Sequence, residues 1–163
     1  MKYFTMMLTV CAFPAFAGSV DIVGNVAAKC VIQTDKAGVY GNPIASKLST
    51  TPADGGILPV IRIDVSIADS YTANITHPTS FSSSPTLTDT LVWTGSTTVT
   101  KMSASGMSAY NGAKAVVGST SKFNLTLAGS AWFSTASSAV YGSAKPFPGG
   151  TYTAVVQAEC IAK

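Results

Sequence analysis

The sequence predicts an all-β fold, a single sandwich of roughly seven or eight short strands, and three observations predict it. Apolar residues recur at period two along most of the chain, as they do in strands with one buried face. They recur nowhere at helical spacing for three turns. Clusters of Gly, Pro, Ser and Thr interrupt the pattern as turns do, and no fixed-period repeat suggests a solenoid or a propeller.

The amino terminus reads as a separate segment. Lys2, the apolar run Tyr3 to Phe13 and the small-residue site Ala15-Phe16-Ala17 are the three parts of a cleaved secretory signal over residues 1–17. The apolar run falls short of the roughly 18 to 20 residues that cross a bilayer. A mature chain is expected from Gly18, with one domain over 18–163, long enough for a core and too short for two.

From Val20, the alternate positions Val20, Ile22, Gly24, Val26, Ala28 and Cys30 are apolar or small, while Ser19, Asp21, Asn25 and Lys29 take the other face. This predicts a first strand with one buried side. Residues 35–56 are rich in turn formers and predict loops with a short edge strand near Val39 or Leu48. Ile57, Ile61, Ile63, Val65 and Ile67 then share one parity, and after a turn near Asp69 the residues Tyr71, Ala73 and Ile75 form a partner strand.

The Pro and Ser cluster from His77 to Pro85 predicts a loop. Leu87, Leu91 and Trp93 predict a strand ending at Gly95, and Thr97 and Val99 a weaker one. Residues 103–121 fit a strand, a helical turn or a loop equally. Phe123, Leu125 and Leu127 give clean alternation. Trp132 and Phe133 precede a Ser-rich stretch that reads as a turn, and Pro146, Pro148, Gly149 and Gly150 introduce a last strand with Tyr152, Ala154, Val156, Ala158 and Cys160 on one face.

Of the three cysteines, Cys11 lies in the leader, so the mature chain carries Cys30 and Cys160. Both take the inward parity of their strands, and an oxidising compartment would allow them to join; two unrelated buried thiols are the alternative. A bond between them requires the two ends of the domain to be neighbours.

Composition excludes several functions. Only 10% of residues are charged, and the formal charge of +3 is spread along the chain, so no nucleic-acid partner is suggested. His77 is the only histidine and precedes Pro78 in a predicted loop, which supports neither a His-based metal cluster nor a Ser-His-Asp triad. The acidic residues are dispersed, and Asp64 and Asp69 read as surface charges rather than a catalytic pair. Gly55-Gly56 and Gly149-Gly150 read as turns, not as a phosphate loop. Trp93, Trp132 and Phe133 stand beside alternating apolar residues and read as core rather than as a sugar-stacking platform. Neither an enzyme nor a cofactor is expected.

Two stretches carry a resemblance. Gly18-Ser19-Val20-Asp21-Ile22-Val23-Gly24-Asn25-Val26, followed by Cys30, resembles the opening of pilins from type 1 and related adhesive fimbriae of the chaperone–usher class. Pro148-Gly149-Gly150-Thr151-Tyr152-Thr153-Ala154-Val155-Val156 resembles the lead into their C-terminal strand, and a cysteine near the end is similar to some minor, tip-located subunits.

The resemblance implies an immunoglobulin-like, pilin-type sandwich that is incomplete and is completed by donor-strand complementation. It implies export through the periplasm to the cell surface, with a periplasmic chaperone, an outer-membrane usher, other fimbrial subunits and a host-surface receptor as partners. Val20, Ile22, Gly24 and Val26 would be the donor or first strand, and Tyr152, Ala154, Val156 and Ala158 the chaperone and groove-edge strand. Two features depart from the pattern. The ending Cys160-Ile161-Ala162-Lys163 lacks the penultimate aromatic common in these pilins. Cleavage after Ala17 also leaves almost no extension before a first strand at Val20, which fits a tip subunit that accepts a strand without donating one. The competing expectation is a self-contained secreted or periplasmic module that binds carbohydrate or peptide.

Overall fold

A computed structural model describes residues 29–142 and 145–163. The signal segment and the candidate donor residues Val20, Ile22, Gly24 and Val26 lie outside the described residues.

The described chain is all-β, in two antiparallel sheets. The larger contains β1 (Cys30–Lys36), β2 (Gly41–Ile44), β3 (Lys47–Ser49), β4 (Val60–Val65), β6 (Leu91–Met102) and β9 (Gly129–Tyr141). The smaller has the order β10 (Gln157–Ala162), β5 (Tyr71–Thr76), β8 (Thr120–Leu125), β7 (Ala115–Val117). The central strand is β9. Along one side it pairs with β6 from Leu91↔Tyr141 to Met102↔Ala131; along the other, β4 takes its first half and β3 its second.

The core lies between the sheets. Ile61, Ile63 and Val65 of β4 and Phe133 of β9 face Ala73 and Ile75 of β5 and Phe123 and Leu125 of β8. Phe123 and Phe133 are both fully buried with ring centroids 4.8 Å apart, so one aromatic from each sheet meets at the centre. The alternation of β4 and β8 predicted from the sequence is their burial pattern here.

Three expectations are corrected. The Ser-rich stretch after Phe133 is not a turn: β9 runs through it to Tyr141, with Ala131, Phe133, Thr135, Ser137, Ala139 and Tyr141 all buried. Its period of two continues in hydroxyls, which are tolerated inside because they pair. The Thr135 hydroxyl meets that of Thr97 at 3.0 Å, and Thr50 accepts a hydrogen bond from the Ser137 amide at 2.9 Å.

Gly95 likewise does not end a strand. The two strands expected on either side of it are the single β6, and a Cβ at Gly95 would collide with the His77 ring, so glycine serves a close approach there. His77 is accordingly half-buried, its Nδ1 3.1 Å from the Pro78 carbonyl. Finally, the last ladder begins at Gln157 rather than Tyr152.

Residues 103–121, ambiguous in sequence, form a 3₁₀ turn at Ser105–Ala109, the short helix α1 (Tyr110–Ala113), β7 and the start of β8. The turn near Asp69 is as expected, with Asp69 at φ 57°, a left-handed conformation that Asp tolerates better than most residues.

Before β6, Asp89 holds Lys145 at 2.6 Å and caps the Thr90 amide at 2.8 Å. The Lys145 hydrogen bond, then the Thr90 amide, hold its carboxyl below the usual carboxylate range. A depressed folded-state pKa adds stability that is present above the unfolded value of about 4 and is lost as pH falls through the folded one. Asp89→Asn is therefore expected to lower the thermal midpoint at pH 7, with the difference from the parent closing as pH drops below about 4; a constant difference across that window would contradict the assignment.

Candidate functional groove

The two sheets leave an open groove along one side of the domain. Its first rim is β1, which pairs with β4 on one edge and forms no ladder on the other among the described residues. Its second rim is the extended stretch from Tyr152 to Val156. Here Thr153 bonds to Ser83, while the backbone groups of Tyr152, Ala154 and Val156 make no backbone hydrogen bond among the described residues. The groove volume is about 540 Å³.

Burial shows that the opening exposes an inward-facing row. In β1 the residues Cys30, Ile32 and Thr34 stand opposite Val65, Ile63 and Ile61 of β4, and paired residues share a face. The β4 members are buried, yet Ile32 is 39% exposed and Thr34 is also exposed. On the other rim Tyr152, Ala154 and Val156 are half-buried while Thr151, Thr153 and Val155 are exposed. Both rims thus turn their inward residues toward a space that no described element fills.

One end of the groove is closed. Cys30 and Cys160 form a disulfide with a Cα–Cα distance of 6.3 Å, which joins β1 to β10 as the inward parity of the two cysteines suggested. The floor combines Leu48 and Ile61 with a hydroxyl cluster: Tyr40 Oη lies 3.1 Å from Ser137 Oγ, beside Thr50. Burial raises the Tyr40 pKa, with the Ser137 hydrogen bond opposing.

The open end is braced by aromatic rings. Tyr152 packs against Phe81 and Phe147 at centroid distances of 5.0 and 5.2 Å, Phe81 against Trp93 at 4.8 Å, and the Tyr152 hydroxyl donates to the Pro148 carbonyl at 2.6 Å. The second rim is therefore held in an extended form without a ladder partner on its groove side.

The free edge of β6 is treated differently. Asn111 accepts from the Val99 amide at 2.7 Å and donates to the Val99 carbonyl at 2.9 Å, and Lys114 donates to the Thr97 carbonyl at 2.6 Å. Side chains occupy the groups through which another chain could pair, one of the ways proteins protect sheet edges. Asn111→Ala is expected to cost about 1–2 kcal/mol and to increase aggregation on heating. Denaturant titration and light scattering check this, and an unchanged scattering onset would show that Asn111 does not guard the edge.

Of the residues singled out in the sequence, Cys30 and Cys160 come together, and Tyr152, Ala154 and Val156 line the groove. Ala158 shares their parity but already pairs with Ile75. Sequence reasoning missed Ile32, Thr34, Tyr40 and Ser137; the parity of Cys30 could have identified the first two. Phe133 is core as expected, and Trp93 joins the aromatic brace. Trp132 instead lies on the outer face beneath Lys101, whose Nζ is 4.5 Å from the ring centroid. Asp64 pairs with Arg62 and Asp69 with Lys163. Among the described residues no group of three His, Cys, Asp or Glu could hold a metal ion. No protein-family model, curated protein or solved structure matches the chain.

Proposed function

We propose that this chain is a structural and adhesive subunit of a chaperone–usher fimbria, an immunoglobulin-like sandwich short of one strand that a neighbouring molecule supplies. The observation that carries the reading is the groove with two unpaired backbone rims. Exposed inward residues and free N–H and C=O groups are both unfavourable in isolation, and a strand laid between the rims would cover the one and pair the other, as in β-augmentation. The guarded edge of β6 sharpens the contrast, since among the described residues one edge is protected and these two are free.

On this reading a periplasmic chaperone fills the groove first and the Val20–Val26 segment of another subunit replaces it. Val20, Ile22 and Val26 would each contribute about 1.5 to 3 kcal/mol on burial, before ordering costs.

One observation favours a self-contained binding module instead: the groove volume falls in the usual range for small-ligand sites. Thermal unfolding of the mature chain separates the two. A strand acceptor is expected to unfold at low temperature or aggregate when alone, and to gain at least 10 °C in midpoint with a peptide spanning Gly18 to Ala28, roughly the effect of 2 kcal/mol or more in a domain of this size. Cooperative unfolding at high temperature, unchanged by the peptide, would favour the module.

A further inference from the structure

We propose that the outer face of the larger sheet carries a separate binding site, centred on Trp132, for a sugar ring that bears one anionic group. The site lies on the outward face of the sheet whose inward face floors the groove, and it stands whether or not the groove accepts a strand.

Four strands contribute to one row across that face. Gln33 of β1 stands opposite Arg62 of β4, Arg62 opposite Trp132 of β9, and Trp132 opposite Lys101 of β6, and paired residues share a face. Lys101 reaches the row only through a bulge. In a regular ladder it would take the parity of Val99, which is buried; the extra residue Thr100 reverses that parity and turns the lysine outward over the indole. Its Nζ lies 4.5 Å from the ring centroid and the Arg62 Cζ 5.9 Å, from strands on opposite sides of β9.

The two cations differ in their freedom. Arg62 is fixed: its Nε donates to Asp64 at 3.1 Å and one Nη to the Gln33 side chain. Lys101 is exposed and joins none of the ion pairs among the described residues. Its ammonium is therefore available to an anion. With Arg62 and Lys101 positive and Asp64 negative, the cluster carries one net positive charge. That matches a single carboxylate or sulfate. It is too little for a nucleic acid or an anionic membrane, which are held by rows of cations.

The surroundings select a sugar among small anions. Of Trp93, Trp132 and Phe133, only Trp132 is absorbed neither by the core nor by the aromatic brace, and an indole face offers apolar contact to the C–H face of a pyranose. Ser130 of β9 and Thr98 of β6 share the outward parity and present hydroxyls beside it. On its flexible stem the Lys101 ammonium moves to the margin of the ring as the sugar takes its place, and keeps the anionic group within reach. An open face holds one ring weakly, with a Kd on the order of 1 mM.

The test follows the two tryptophan indole N–H resonances of the mature chain during titration with methyl glucuronide, methyl glucoside and methyl glucoside 6-sulfate. The Trp132 signal is expected to shift with the anionic sugars, about tenfold more weakly with the neutral one, while Trp93 in the brace stays in place. The tighter of the two anionic sugars identifies the anion. Saturation transfer observed on the sugar reads the variants. Lys101→Gln is expected to bring the glucuronide down to the affinity of the glucoside, and Trp132→Ala to weaken both by about tenfold or more. Lys122→Gln, which removes the same charge from an exposed position of β8, should change neither.

Equal affinity for glucuronide and glucoside, or equal losses in Lys101→Gln and Lys122→Gln, overturns the anionic specificity. Displacement of the glucuronide by acetate at equal concentration shows a bare anion contact and overturns the sugar. A Trp132 signal unmoved at about 50 mM of every sugar overturns the site. The titrations are repeated with the Gly18 to Ala28 peptide at saturation, where sugar affinity unchanged within about twofold is expected. Sugar binding by a chain that takes up no peptide would overturn the groove reading and leave this site standing, and the reverse result would do the opposite.

Discussion

Phe133→Ala is expected to destabilise the domain by about 3 to 5 kcal/mol. Phe133 is fully buried and meets Phe123 of the opposite sheet. Its strand is held by ladders on both sides, to β4 and to β6, so the backbone cannot close over the cavity that the ring would leave. The neighbouring Trp132→Ala is the control. That indole faces outward beneath Lys101, and its loss removes a cation–π contact worth about 0.5 to 1 kcal/mol at an exposed site. Urea titration of both variants should give a large shift for one and a small shift for the other. Equal shifts would mean that the parity of β9 is wrongly assigned.

Parity also marks how far the fold could be read from the sequence. The strands β4, β5 and β8 were legible because Ile61, Ile63, Ile75, Phe123 and Leu125 are apolar, and burial is the property that apolar alternation reports. The second half of β9 was not legible. Thr135 and Ser137 occupy inward positions as hydroxyls, and their partners Thr97, Thr50 and Tyr40 are tens of residues away in sequence. A polar residue with a distant hydrogen-bonding partner looks in sequence like a polar residue in solvent. Gly95 misled for a related reason, since its requirement for space is set by His77, from a different element.

The groove divides in the same way. Tyr152, Ala154 and Val156 were legible because their inward parity is local. The other rim was not, because Thr34 is polar and residues 35–56 are rich in turn formers, so no local pattern marks β1 as a strand beyond Cys30. The pairing of Cys30 with Cys160 was legible from the inward parity of both residues, although the extent of β1 beyond Cys30 was not. An open groove is not a sequence property at all. An inward apolar row has the same pattern whether its neighbour is in the same molecule or in another, and only the exposure of Ile32 opposite buried Ile63 distinguishes the two.

Ala154→Asp is expected to weaken binding of the Gly18 to Ala28 peptide at least a hundredfold, with the free chain's stability changed by less than about 1 kcal/mol. In the free chain the position is half-buried at the margin of an open groove, where a carboxylate can reach water. A strand laid over it would remove that water, and no lysine or arginine among the groove-lining residues other than Lys36 is present to pair with the charge. Leaving a charge buried without a partner costs several kcal/mol, which a hundredfold loss represents at its lower end. Val155→Asp supplies the contrast: Val155 has the opposite parity and is 58% exposed, so its substitution should reduce affinity by less than tenfold. Acidification adds a readout that misfolding would not reproduce. Burial raises the pKa of a carboxylic acid, so affinity of the Ala154→Asp chain should recover as pH falls toward about 4 and below, where the group can enter the groove neutral. If affinity is lost equally in the two variants, or stays lost on acidification, the inward row at Tyr152, Ala154 and Val156 is not the surface that receives the strand.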